Sequence, residues 1–143
     1  MFERSTSQIL LIEDNPLDID LISHALQKKD EGGVSLSIAR DGEEALRYLK
    51  HWDEGLSTPI VILLDLNLPK IDGFEVLKKI KTHLRYKILP VVVLTSSNNS
   101  SDIQKAYRLG ANSYIVKSID YNQLASAVNL IHRYWCELNI HPE

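Results

Sequence analysis

Four short stretches combine the residue types needed to handle a phosphoryl group. Glu13-Asp14, Asp65, Thr95-Ser96 and Lys117 each stand directly after an apolar run: Ile9-Leu10-Leu11-Ile12, Ile60-Val61-Ile62-Leu63-Leu64, Val91-Val92-Val93-Leu94 and Tyr114-Ile115-Val116. If these runs are neighbouring strands, three carboxylates meet in one crevice, where each like-charged pair at about 4 Å costs about 4 kcal/mol at an effective dielectric of about 20. A cation relieves that repulsion. Oxygen ligands without Cys or His favour Mg²⁺, with Mn²⁺ as the alternative. Lys117 and such an ion could neutralise an incoming phosphoryl group, while Thr95 and the backbone N–H groups after Asp65 and Thr95 bond its oxygens. Taken singly, each residue is better explained as structural. An Asp after a strand serves as a loop or cap residue, a Thr suits a strand end, and an isolated Lys is solvated. Glu13-Asp14 also suits the dipole of a helix that starts at Pro16. Those explanations do not cover the meeting of Asp65, Thr95 and Lys117 at the same end.

The 143 residues are 44% hydrophobic and 24% charged, which excludes disorder and collagen-like repeats. One domain over residues 1–143 is expected, burying roughly 70% of the surface that the unfolded chain exposes. The continuous apolar runs fit parallel strands covered by helices on both faces. Val34-Ser35-Leu36-Ser37-Ile38 instead alternates, which predicts an edge strand with one wet face, and Ser113-Tyr114-Ile115-Val116 is the fifth strand. Helix starts lie between them: Asn15-Pro16, Asp41 with Glu44, Asp72 with Glu75, Ser101 with Gln104, and Asp120 with Gln123. Gly110 is expected to stop the fourth helix. The pattern is (βα)₅, an α/β doubly wound parallel sheet of flavodoxin-like order 2-1-3-4-5. Such sheets bind ligands beyond the carboxyl ends of their strands, at the switch between strands 1 and 3.

Over residues 7–138 the chain resembles the receiver domain of bacterial two-component response regulators. The motifs that carry the likeness are Ile12-Glu13-Asp14-Asn15, Asp65-Leu66-Asn67-Leu68-Pro69 followed by Asp72-Gly73, Leu94-Thr95-Ser96, Gly110-Ala111 and Tyr114-Ile115-Val116-Lys117. The resemblance implies that Asp65 is phosphorylated by the phosphohistidine of a sensor histidine kinase. It further implies that Asp14, Asp65 and the Asn67 carbonyl hold Mg²⁺, with Glu13 acting through water, and that Lys117 pairs with the phosphoryl group. Thr95 would then move toward the phosphate and Tyr114 would swing inward, altering the face formed by helix 4, strand 5 and helix 5. Such a chain is a phosphoacceptor rather than an enzyme with its own catalytic domain.

The family usually has Pro after the lysine, where this chain has Ser118. Serine disfavours a cis bond there by about 2.5–4 kcal/mol. Lys117-Ser118, the stretch His83 to Ser97 and the late Trp135 resemble the stand-alone regulators of cyanobacterial-type phytochrome kinases, which implies a phytochrome as phosphodonor. No output domain is expected after helix 5. That helix carries Leu124, Val128, Ile131, Trp135 and Leu138, a stripe for burial against the sheet, widened by Ala127, Leu130 and Tyr134. The extra width suggests a homodimer through helix 4, strand 5 and helix 5.

A net charge of -3 gives no electrostatic reason to bind nucleic acid. The single Cys136, the absence of an apolar leader at Met1-Phe2-Glu3-Arg4 and the lack of a bilayer-length apolar run suit a cytoplasmic protein without membrane attachment. Two rival functions fit less well. A haloacid-dehalogenase-like phosphatase needs an Asp two residues after its nucleophile, and Asn67 cannot transfer that proton. A flavodoxin-like cofactor module needs a hydroxyl- and glycine-rich first loop, whereas Glu13-Asp14-Asn15-Pro16-Leu17-Asp18 repels phosphate in the absence of a metal.

Overall fold

Short polar caps and apolar runs divide the chain into alternating strands and helices, seen in a computed structural model that describes residues 7–27 and 34–142. The Met1-Phe2-Glu3-Arg4 opening lies outside the described residues. The elements are β1 (Ser7–Ile12), α1 (Pro16–Gln27), β2 (Val34–Ala39), α2 (Gly42–Asp53), β3 (Val61–Leu64), α3 (Gly73–Lys81), β4 (Val91–Thr95), α4 (Ser100–Arg108), β5 (Ser113–Val116) and α5 (Tyr121–His132). A 3₁₀ turn, Tyr86–Ile88, precedes β4, and α5 runs on into a π-helical segment, Arg133–Leu138. The five strands are parallel in the order β2-β1-β3-β4-β5, as expected. Among the described residues no helix is long and apolar enough to cross a membrane.

Strand periodicity builds two cores from one sheet. Leu10, Ile12, Ile62, Leu64, Val91 and Val93 pack on one face with Trp52 of α2 and Leu77 and Ile80 of α3. The alternate residues Ile9, Leu11, Val61, Leu63, Val92 and Leu94 pack on the other with Ile22 of α1 and Val128 of α5. Each such fully buried aliphatic side chain contributes about 1.5–3 kcal/mol, so the central strands are fixed from both sides. Along β2, half-buried and exposed residues alternate from Val34 to Ile38, the signature of an edge strand.

Asn15 caps α1 by accepting from the N–H groups of Leu17 and Asp18 at 2.9 and 3.1 Å. Asp41, Asp72 and Asp120 cap α2, α3 and α5 as predicted. At α4 the expectation is corrected: Asn99, not Ser101, is the cap, and its side chain accepts from the Ser101 N–H at 3.0 Å. Gly110 follows α4 with φ +106°, a conformation that side chains with a Cβ rarely adopt. The α5 stripe is buried through Ile131, and Trp135 still packs on the core. Leu138 does not, being 72% exposed. The π-helical turn changes the angular step per residue and so takes Leu138 off the buried face.

Gly73 is required by close approach of backbone. A Cβ at this position would sit 2.5 Å from the carbonyl oxygen of Asp65 and 2.5 Å from the Cα of Leu66. Gly73→Ala is therefore expected to cost roughly 1–3 kcal/mol of stability in urea unfolding, through forced backbone displacement. An unchanged midpoint would contradict this.

Candidate functional site

The register of the sheet puts the charged residues at one level. Ile12 pairs with Leu64, and Thr95 with Val116, so Glu13, Asp65 and Lys117 each follow a paired position at the carboxyl edge. Backbone bonds carry the ladder past the strands: Glu13 N–H to the Ala39 carbonyl at 3.0 Å, Asp65 N–H to that of Ile12 at 3.0 Å, and Lys117 N–H to that of Thr95 at 2.8 Å. The side chains of these residues thus start from fixed backbone, at a crevice of about 670 Å³.

Within that crevice the structure brings together Glu13, Asp14, Asp65, Asn67 and Lys117. Carboxylate oxygens of Glu13, Asp14 and Asp65 lie within 4.8 Å of one another. Lys117 Nζ donates to Glu13 Oε1 at 3.0 Å and to Asp65 Oδ2 at 3.3 Å. The other oxygen of Asp65 accepts from the Asn67 N–H at 3.2 Å, and Glu13 Oε2 accepts from the Asn15 N–H at 3.1 Å. Asp14 is exposed at the crevice mouth. Three hard oxygen donors at this spacing, one open to water, fit a small divalent cation that keeps part of its hydration shell.

Asp18 completes the cluster, although neither its residue type nor its spacing marks it out in the sequence. Its Oδ2 accepts from Lys117 Nζ at 2.7 Å, the shortest of the lysine's three carboxylate contacts. The available signal was its position in the first turn after Pro16, close to the end of β1.

Thr95 is fully buried, and its Oγ1 has no hydrogen-bond partner among the described residues. An unpartnered buried hydroxyl costs about 1–3 kcal/mol, which a phosphoryl oxygen at this strand end would relieve. Tyr114 stands outside the crevice. Its hydroxyl donates to the Ser97 carbonyl at 2.9 Å, while Ser97 Oγ donates to Asp102 Oδ2 at 2.7 Å. The β4–α4 loop therefore links the strand carrying Thr95 to both Tyr114 and α4. After Lys117 the chain is trans, since no peptide bond among the described residues is cis. Ser118 Oγ donates to Gln123 Oε1 at 2.9 Å and accepts from the Asp120 N–H at 3.0 Å, so the serine ties this loop to the start of α5.

Burial and the neighbouring Asp65 charge push Glu13 up from 4.5 to about 7 against the opposing pull of Lys117. Burial alone would lower Lys117, but Asp18, Asp65 and Glu13 together hold it above the ordinary lysine range. Burial raises the phenol of Tyr114, and its bond to Ser97 opposes that shift.

A profile of the response regulator receiver domain matches residues 9–129. The chain belongs to the response regulator receiver family. FilR2 of Methanothrix harundinacea, described as a probable methanogenesis regulatory protein, is 42% identical to this receiver over 135 residues, covering 94% of this chain and 86% of FilR2. Response regulator Rcp1 of Synechocystis is 42% identical over 131 residues, covering 90% and 88%. A solved Mn²⁺-bound form of Rcp1 superimposes with a TM-score of 0.87 at 40% identity, covering 96% of the receiver and 99% of that chain. The phosphorylated cyanobacterial phytochrome response regulator RcpA superimposes with a TM-score of 0.92 at 42% identity, covering 97% and 100%. The receiver is a phosphoacceptor response regulator of a two-component system. Receiver domains bind a divalent metal, and the cluster of Glu13, Asp14 and Asp65 is consistent with such a site.

The raised Glu13 gives the metal-free receiver a definite pH response. A group whose folded pKa, about 7, exceeds its ordinary 4.5 favours folding below about pH 4.5, and that contribution is lost as pH rises through 7. In chelator, the urea midpoint of the wild type is expected to fall between pH 5 and pH 8 relative to Glu13→Gln. A constant difference between the two proteins across that range would contradict the assignment.

Proposed function

We propose that Asp65 accepts the phosphoryl group of a phosphohistidine on a sensor histidine kinase. The observation that carries this reading is the Lys117 ammonium 3.3 Å from Asp65 Oδ2, beside a carboxylate cluster spaced for a divalent ion. One Asp65 oxygen forms a bond to phosphorus as the bond from phosphorus to the imidazole nitrogen breaks, and the electron pair leaves with the nitrogen. Lys117 compensates the charge that develops on the phosphoryl oxygens. The Thr95 hydroxyl, buried and unpartnered, donates to one of them. Asp14, Asp65 and the Asn67 carbonyl would hold Mg²⁺, with Glu13 acting through water. The ion supplies positive charge to the transferred group.

Phosphoryl capture then draws Thr95 toward Asp65 and shifts the β4–α4 loop, to which Tyr114 is bonded through Ser97. The readout is a change in the α4, β5 and α5 face. Asn67 in place of an acid two residues after Asp65 supports an acceptor role rather than turnover of phosphate esters. Exposed Leu17, Ile119 and Tyr121 border the crevice and offer an apolar shelf to an amphipathic helix of the donor kinase. The fit to RcpA over the whole of that chain favours a phytochrome-type kinase as donor.

Incubation with acetyl phosphate or a phosphorylated kinase is expected to incorporate one acid-stable, alkali-labile phosphoryl group. Incorporation should need Mg²⁺, stop on chelation and vanish in Asp65→Asn. Equal labelling of that variant would refute the assignment.

Homodimerisation through α4, β5 and α5 is the proposed output contact, supported by exposed Val116, Leu130, Tyr134 and Leu138. Sedimentation velocity is expected to show a dimer that Tyr134→Asp weakens. A monomer at every concentration, with and without a phosphoryl analogue, would remove the dimer from the account.

A further inference from the structure

We infer that Asp18 is a positioning residue that holds the Lys117 ammonium in place while the other carboxylates turn to the metal, a role that rests on the phosphoacceptor function proposed above. An ammonium has three N–H donors. In this structure the contacts to Asp18, Glu13 and Asp65 account for all three. Two of those partners, Glu13 and Asp65, also belong to the group spaced for a divalent ion, and Asp18 does not. The lysine and a cation therefore compete for the same two carboxylates.

Asp18 resolves that competition by its position on a different element. It projects from the first turn of α1, a helix fixed to the sheet through Ile19 and Ile22. Its carboxylate is 24% exposed, so it carries its charge at a lower desolvation cost than Glu13, which is 2% exposed. At 2.7 Å its contact with Lys117 is that of a strong charge-assisted bond. At the other end of the residue, the Lys117 N–H is held on the Thr95 carbonyl at 2.8 Å. The lysine is thus fixed at its backbone by β4 and at its tip by α1. When Glu13 and Asp65 release the ammonium, the Asp18 contact remains and keeps it beside the reacting oxygen. Without Asp18 the ammonium falls back wholly on Glu13 and Asp65 and opposes metal binding.

A double-mutant cycle on Mn²⁺ affinity separates this role from the mere loss of a nearby charge. The full chain, its wild type, Asp18→Asn, Lys117→Met and the double variant are titrated with Mn²⁺, and free ion is read by electron paramagnetic resonance. Asp18→Asn is near-isosteric at a partly exposed position, and its fold is checked by thermal unfolding in chelator. The expected result is an affinity about fivefold lower for Asp18→Asn in the wild-type background and nearly unchanged in the Lys117→Met background, a coupling of ordinary size for contacting residues. Asp18→Glu is expected to restore much of the affinity. An equal loss in both backgrounds, or no loss in either, would overturn the positioning role. A wild type that takes up no Mn²⁺ would instead refute the metal-assisted reading on which it rests.

Discussion

The crevice is organised around the ammonium of Lys117, which hydrogen-bonds three carboxylates at once, Asp18 at 2.7 Å, Glu13 at 3.0 Å and Asp65 at 3.3 Å. Without a cation these anions would repel one another in a partly desolvated site. One ammonium there faces the carboxylates of Asp18, Glu13 and Asp65, with Asp14 beside them, and burial, followed by the Asp65 charge, raises Glu13 despite the lysine. Among the described residues, then, the carboxylates of the site outnumber its cation. That imbalance favours a divalent ion, and the ammonium together with such an ion can tolerate the further negative charge of a phosphoryl group. Removing the lysine would leave buried carboxylates without their partner, a change that is costly wherever charge has been taken out of water.

Everything else in the fold serves to keep these groups at one level. Parallel strands packed on both faces cannot slip by one residue without exchanging their two cores, so burial of Leu10, Ile12, Leu63 and Leu64 also fixes Glu13 and Asp65. The ladder bonds that continue beyond β1, β3 and β5 extend this rigidity to Glu13, Asp65 and Lys117. Gly73 lets α3 approach the Asp65 backbone closely. On the opposite side, Tyr114, Ser97 and Asp102 form a hydrogen-bonded path from the end of β4 to α4. In the proposed function the strand ends react and this loop reports, so the two roles fall on separate parts joined by a few hydrogen bonds, the arrangement a two-state switch uses.

Much of this was legible in the residues because strong local signals agree with the tertiary structure. Apolar runs marked buried strands, the alternating Val34-Ser35-Leu36-Ser37-Ile38 marked the edge, and Asp41, Asp72 and Asp120 marked helix starts. Asn99 displaced Ser101 at α4 because both are good caps and only the path of the loop selects between them. Leu138 left the buried stripe because a π-helical turn has no sequence period of its own to betray it. Asp18 was hidden for a different reason. An acidic residue in a first helical turn is so well explained by the helix dipole that only the three-dimensional approach of Lys117, 99 positions away, reveals a second use.

Fluorine NMR of the beryllofluoride adduct formed with Mg²⁺ tests whether Lys117 makes a phosphoryl group on Asp65 tolerable. Protein-bound fluorine resonances at one equivalent are expected in the wild type, with their loss in a folded Lys117→Met variant. Undiminished resonances in that variant would contradict this role of Lys117.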